Sequence, residues 1–155
     1  DYKVTGVQTC ALPISGHARE TALAATALAV AGNGLSEADR EKLVVQGLKL
    51  VSMHEVGHTL GLRHNFKGSS LLSLADINDP AKTGAGASTS VMDYIPANIM
   101  PKGRAQGDYY TPRLGPYDHW AIEYGYKPIA AGNPQGELAE LEKIAGRSGE
   151  PQLAY

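Results

Sequence analysis

One stretch, HEVGHTLGLRH from His54 to His64, holds the residues best suited to chemistry. Histidines four apart on a helix lie one turn apart, about 6 Å along the axis, and lean to the same face, so His54 and His58 can share one divalent ion. Glu55 sits roughly 100° around the helix from His54, badly placed as a third ligand but well placed to take a proton from water beside the metal. Gly61 then offers a left-handed turn at little steric cost, and His64 follows close behind it. The chain can double back there and bring a third imidazole to the same ion. Zinc with three protein ligands leaves one position for water, the arrangement of a catalytic site, whereas structural zinc normally takes four.

The elements needed to hold such a site can be read outward from it. Ser36, with Asp39 three residues on, resembles a helix start and predicts a helix running to about Leu60. Its apolar residues Leu43, Val44, Leu48, Val51, Met53, Val56 and Leu60 wrap more than one face, as expected of a helix covered on most sides. Gly57 interrupts the good helix formers, and the expected compensation is close approach of another backbone. Upstream, HARETALAATALAVA (His17 to about Ala31) predicts a further helix, ended by Asn33 and Gly34. His17, with no partner at metal spacing, reads as an exposed residue at its start.

Downstream, residues 65–90 shift to Gly, Ser, Asp and Asn, and read as a loop with one helical turn around Leu71 to Ala75. Asp76, Asn78 and Asp79 match no calcium-loop spacing and read as solvated turn residues. Residues 95–113 carry three prolines, two glycines and the pair Tyr109, Tyr110, which suggests an irregular segment bordering a cleft. LGPYDHWAIEYGY restarts a helix, with Pro116 suited to the first turn and Asp118 to the positive N-terminal end. His119 has no ligand spacing and reads as surface or structural. Glu137 to Ala145 predicts a short charged surface helix.

The 155 residues fit one modest domain, and a net charge of -2 with a pI near 6.2 gives no electrostatic case for nucleic acid. No apolar run approaches the roughly 20 residues of a membrane span. Val4 to Ile14 resembles the in-frame translation of a short-read sequencing adapter, so residues 1–15 are set apart from fold reasoning together with the one cysteine, Cys10.

The string from His54 to His64 resembles the metzincin signature HExxHxxGxxH at every fixed position. SVMDY, Ser90 to Tyr94, looks like the Met-turn of that family, which implies Met92 as an apolar floor beneath the ligands. Tyr94 matches the tyrosine that approaches the metal in the astacin-like branch. Its readings stay open: a phenol that binds the metal at rest or donates to the developing oxyanion, or a buried ring with a satisfied hydroxyl. The helix from Leu114 resembles the C-terminal metzincin helix, with Asp118 supporting the turn from below.

The resemblance runs from about Leu43 to Pro128 and is nearest to large secreted bacterial zinc-dependent metalloproteases. It implies Zn²⁺ held by His54, His58 and His64, Glu55 and Tyr94 as catalytic residues, and Gly61, Met92 and Asp118 in support. It further implies a peptide or protein substrate and a place outside the bacterial cytoplasm or in the cell envelope. The expected fold is mainly α, with a long active-site helix, a Met-turn and a C-terminal helix. Metzincins carry a sheet ahead of the active-site helix; the residues here read helical, as expected of a piece truncated at both ends. Residues 16–128 are then a partial catalytic domain and 129–155 the start of a following segment. Two rival readings are a gluzincin-type site with Glu123 as third ligand and a non-catalytic zinc-stabilised interaction domain.

Overall fold

The computed structural model of the chain describes residues 5–30, 35–83, 86–101, 103–130 and 132–155, of which 5–15, 17 and 30 by backbone alone. Four helices carry the regular structure: α1 (Thr5–Val30), α2 (Glu37–Thr59), α3 (Pro116–Tyr126) and α4 (Pro134–Ala145), and there is no strand among the described residues. The mainly helical expectation therefore holds for what is described. Asn33 and Gly34, expected to end the first helix, lie outside the described residues. That helix also begins well before His17, which falls in its interior rather than at its start.

The start of α2 follows local rules. Ser36 is extended at φ -61 and ψ 161, and its hydroxyl oxygen accepts from the Asp39 N–H at 3.1 Å, satisfying one of the donors that a helix start leaves over. The apolar face of α2 departs from expectation. Leu43 and Leu50 are buried, but Val44, Leu48, Val56 and Leu60 are exposed, so the helix is covered along one stripe and not on most sides. The reason is tertiary: α1 and the segment after Ser88 cover only the stripe through Leu43, Gln46, Leu50, His54 and Gly57.

The core gathers Ala24 and Leu28 of α1, Leu43 and Leu50 of α2, Val91 and Met92, and Tyr109 and Tyr110. Among the described residues no ladder ties the long irregular stretch from Leu60 to Gly115 to the helices, and side chains join scattered main-chain bonds in satisfying its backbone. Gln46, buried on α2, accepts from the N–H of Tyr109 at 2.8 Å and donates to Asp108 at 2.6 Å. Asn78 accepts from the Gly107 N–H at 2.8 Å and from Asn98 at 2.9 Å, so this expected solvated turn residue is a half-buried tie. The helical turn expected at Leu71 to Ala75 is displaced to short 3₁₀ turns on either side, Gly68–Ser70 and Asp76–Asn78. Ser73 donates to Asp76 at 2.8 Å, which winds the chain one step later than composition suggested.

At the C-terminal side, α3 starts with Pro116 and Asp118 in its first turn. Helix α4 begins earlier than Glu137, because Asn133 caps it through the Gly136 N–H at 2.8 Å. Trp120 of α3 donates to the Ile144 carbonyl at 2.8 Å, and Tyr126 reaches the Leu60 carbonyl at 3.0 Å, so α3 holds both α4 and the end of α2.

Candidate metal centre

The C-terminal end of α2 brings the first two imidazoles to one face, and the way the helix ends decides where the third arrives. Gly61 takes φ +85, a conformation costly for any residue with a Cβ. Its N–H bonds the His58 carbonyl at 3.0 Å while the Leu62 N–H bonds the Gly57 carbonyl at 3.0 Å, the paired bonds of a Schellman ending. The chain therefore folds back across the last turn and carries His64 to the others. Ligating nitrogens of His54, His58 and His64 lie within 4.8 Å of one another, and the Nε2 atoms of His58 and His64 are 3.1 Å apart.

The proton positions on two of these rings follow from their partners. His54 Nδ1 faces the Val91 carbonyl at 2.8 Å and His58 Nδ1 faces the Leu62 carbonyl at 3.0 Å. A carbonyl only accepts, so each Nδ1 must carry the hydrogen, and in the neutral ring Nε2 is left as a lone pair. His54 Nε2 is buried with no hydrogen-bond partner among the described residues. Burial, first of all, holds the His54 imidazole below its ordinary pKa of 6.5; the Val91 bond opposes this and the charge of His58 adds to it. His64 is lowered too, by burial and then by the other two rings. Three imidazoles converging on one point, those of His54 and His58 with Nδ1 engaged and Nε2 turned inward, form a donor set suited to a divalent metal, and the orphaned buried Nε2 of His54 is the atom that such an ion would satisfy.

Beneath the cluster lies the turn from Ser90 to Asp93, fully buried. Met92 has no exposed surface, and a Cβ built on Gly57 would collide with its Sδ. The expected close approach at Gly57 is thus real but comes from a side chain, not from another backbone. Asp118, also buried, supports the turn with three acceptor bonds: from Ser90 Oγ at 2.7 Å, from the Val91 N–H at 2.9 Å and from the Gly115 N–H at 2.8 Å. Through Val91 the carboxylate is one residue from the carbonyl that sets the His54 tautomer. Gly115 itself lies against Thr89, where a Cβ would overlap the backbone, so α3 enters directly under the turn.

A cleft of about 730 Å³ opens beside the cluster, walled by Leu23 of α1, Leu50 and Val51 of α2, and Ile95 and Pro96, with His54, Glu55 and Tyr94 also reaching it. Glu55 Oε1 is buried and has no hydrogen-bond partner among the described residues. Tyr94 stacks on His54 at 5.2 Å between ring centroids and lies 4.5 Å from His64. Its ring is 59% exposed, which sets aside the buried-ring reading.

Glu123 is ion-paired with Lys127 and Arg147 on the outer side of α3 and takes no part in the histidine group. His119 is exposed on the same helix. Three features of the centre went unsingled in the sequence: the carbonyls of Val91 and Leu62, which no residue type announces, and Asn65. Composition alone gave Asn65 no signal, although it directly follows His64 and is buried.

The sequence model of the family described as Met-zincin matches residues 36–155. No curated protein and no solved structure matches the chain.

Proposed function

The chain belongs to the Met-zincin family, and from that premise we propose that it is a zinc-dependent endopeptidase, with His54, His58 and His64 holding the metal and Glu55 serving as general base. The observation that carries the reading is the convergence of three imidazoles beside a buried carboxylate oxygen at the wall of a cleft. Zinc held there would polarise a peptide carbonyl as a Lewis acid and lower the pKa of its bound water toward about 7.

The chain's own groups do the rest. Glu55 Oε1, partnerless and shielded, takes the proton of the attacking water and returns it to the nitrogen of the departing amine, a role worth about 10²–10⁴ in rate. Val91 and Leu62 keep two imidazoles in the tautomer that offers Nε2. Tyr94, exposed yet against two of the rings, donates to the oxygen that gains charge as the carbonyl is attacked. In this reading the cleft, lined by apolar side chains together with Arg19, Glu20 and Asp93, receives a peptide or protein chain, and the resemblance to secreted bacterial enzymes supports a site of action outside the cytoplasm.

The test joins zinc analysis to a hydroxamate-sensitive peptide hydrolysis assay. Glu55→Gln is expected to keep zinc and lose turnover by about 10²-fold or more, while His64→Ala weakens metal binding. Full peptidase activity in the glutamine variant removes Glu55 as the base, and zinc held by a fourth protein ligand favours a structural role instead.

A further inference from the structure

We infer that Asn65 is the positioning residue for His64, tying the third imidazole to the turn beneath the centre and to the C-terminal end of the chain; this rests on the metal-binding reading above. His54 and His58 are each fixed twice, by α2 and by a carbonyl on Nδ1. His64 has neither support. It stands on a stretch without helix, and its ring makes no hydrogen bond at Nδ1 among the described residues. Its ring is met at Nε2 by that of His58, 3.1 Å away, and by the ring of Tyr94, and the peptide that carries it is set by the backbone on either side. On the upstream side the Schellman ending supplies it.

On the downstream side the anchors nearest to His64 belong to Asn65. Its N–H donates to the Met92 carbonyl at 3.0 Å, and its own carbonyl accepts from the Gly68 N–H at 3.2 Å. Side-chain Oδ1 accepts from the Lys67 N–H at 3.0 Å, and Nδ2 donates to the Ala154 carbonyl at 3.0 Å. All four polar groups of this buried residue are thus engaged, which leaves it one arrangement and fixes the peptide that carries His64. The reach to Ala154 extends the tie: the neighbouring Tyr155 stacks on Tyr117 at 5.9 Å between ring centroids, next to Asp118 under the turn. Asn65 thus joins the ligand-bearing peptide both to the turn and to the segment that packs on α3.

The test reads zinc affinity by competition with a chromogenic chelator, with far-UV circular dichroism confirming the fold. Asn65→Ala is expected to lower zinc affinity about tenfold or more. In a His64→Ala background the same change is expected to leave affinity within about twofold, because the ligand it positions is already gone. Asn65→Ser, which keeps an oxygen near the Lys67 N–H but falls short of Ala154, is expected to give an intermediate loss and serves where the alanine variant does not fold. With Co²⁺ in place of Zn²⁺, the Asn65 variants are expected to show a weakened d–d absorption like that of His64→Ala. Unchanged affinity in the single variants, or the same loss with and without His64, overturns the positioning role. If His64→Ala itself binds zinc as tightly as the parent, the metal-centre reading fails, and this proposal with it.

Discussion

Replacing Asp118 is the sharpest test of how the turn beneath the centre is held. In Asp118→Ala, the N–H groups of Val91 and Gly115 lose their shared acceptor in a buried place, while the Ser90 hydroxyl keeps the bond that it accepts from the Met92 N–H. Each stranded donor costs about 1–3 kcal/mol, so the variant should lose about 4 kcal/mol, a large part of the roughly 5–15 kcal/mol that holds a domain together. Asp118→Asn keeps the shape and one oxygen for the two N–H groups but gives up the charge. Hydrogen bonds to a charged acceptor exceed neutral ones by about 1 kcal/mol each, which sets its loss near 2 kcal/mol. Urea denaturation of the metal-free protein, read with a constant m value, gives both numbers. Because Val91 also presents the carbonyl to His54, zinc affinity is expected to fall in the same order. An alanine variant that loses less than about 1 kcal/mol would refute the reasoning, since it would mean that those donors find water or other partners at no cost.

Gly57→Ala pushes a methyl group into the Sδ of fully buried Met92, and denaturant unfolding is expected to show a loss of about 1–3 kcal/mol; pairing it with a shorter residue at position 92 should recover part of that. The metal-free protein is expected to weaken on acidification: the unfolded imidazoles protonate near 6.5 while those of His54 and His64 resist, so the unfolded state binds more protons and stability falls as pH drops through that value, levelling below the folded pKa values. Urea melts between pH 7.5 and 5.5 read this slope, and a slope unchanged in a variant with glutamine at both positions would count against it. Tyr94→Phe is expected to slow peptide hydrolysis by less than Glu55→Gln does, with zinc content unchanged; an unaltered rate would reduce the ring to packing against the histidines.

Much of the centre was legible because its rules are local. Helical spacing joins His54 to His58, a cap fixes the start of α2, and Pro116 with Asp118 marks α3. What failed to show in the sequence depends on which surfaces meet. Val44, Leu48, Val56 and Leu60 have the composition of covered residues, yet exposure is decided by neighbours and not by residue type. Likewise the turn expected near Leu71 forms later, where both the hydroxyl and the carbonyl of Ser73 bond Asp76. Gly57 signalled that something comes close, without saying that it is the Met92 side chain. Asn65 gave no signal at all, since its partners stand at positions 67, 68, 92 and 154, in separate parts of the chain.

Two of the imidazoles are aimed by peptide oxygens rather than by carboxylates or amides of other side chains. Genetic drift can erase a side chain in one step, but it cannot erase a main-chain oxygen, which every amino acid brings to positions 62 and 91. Orientation of these rings is thereby insulated from most single substitutions at the residues that provide it. Vulnerability moves instead to whatever keeps those two peptides in place, so inactivating changes should cluster at Gly61, Ser90 and Asp118 and spare Leu62 and Val91 themselves.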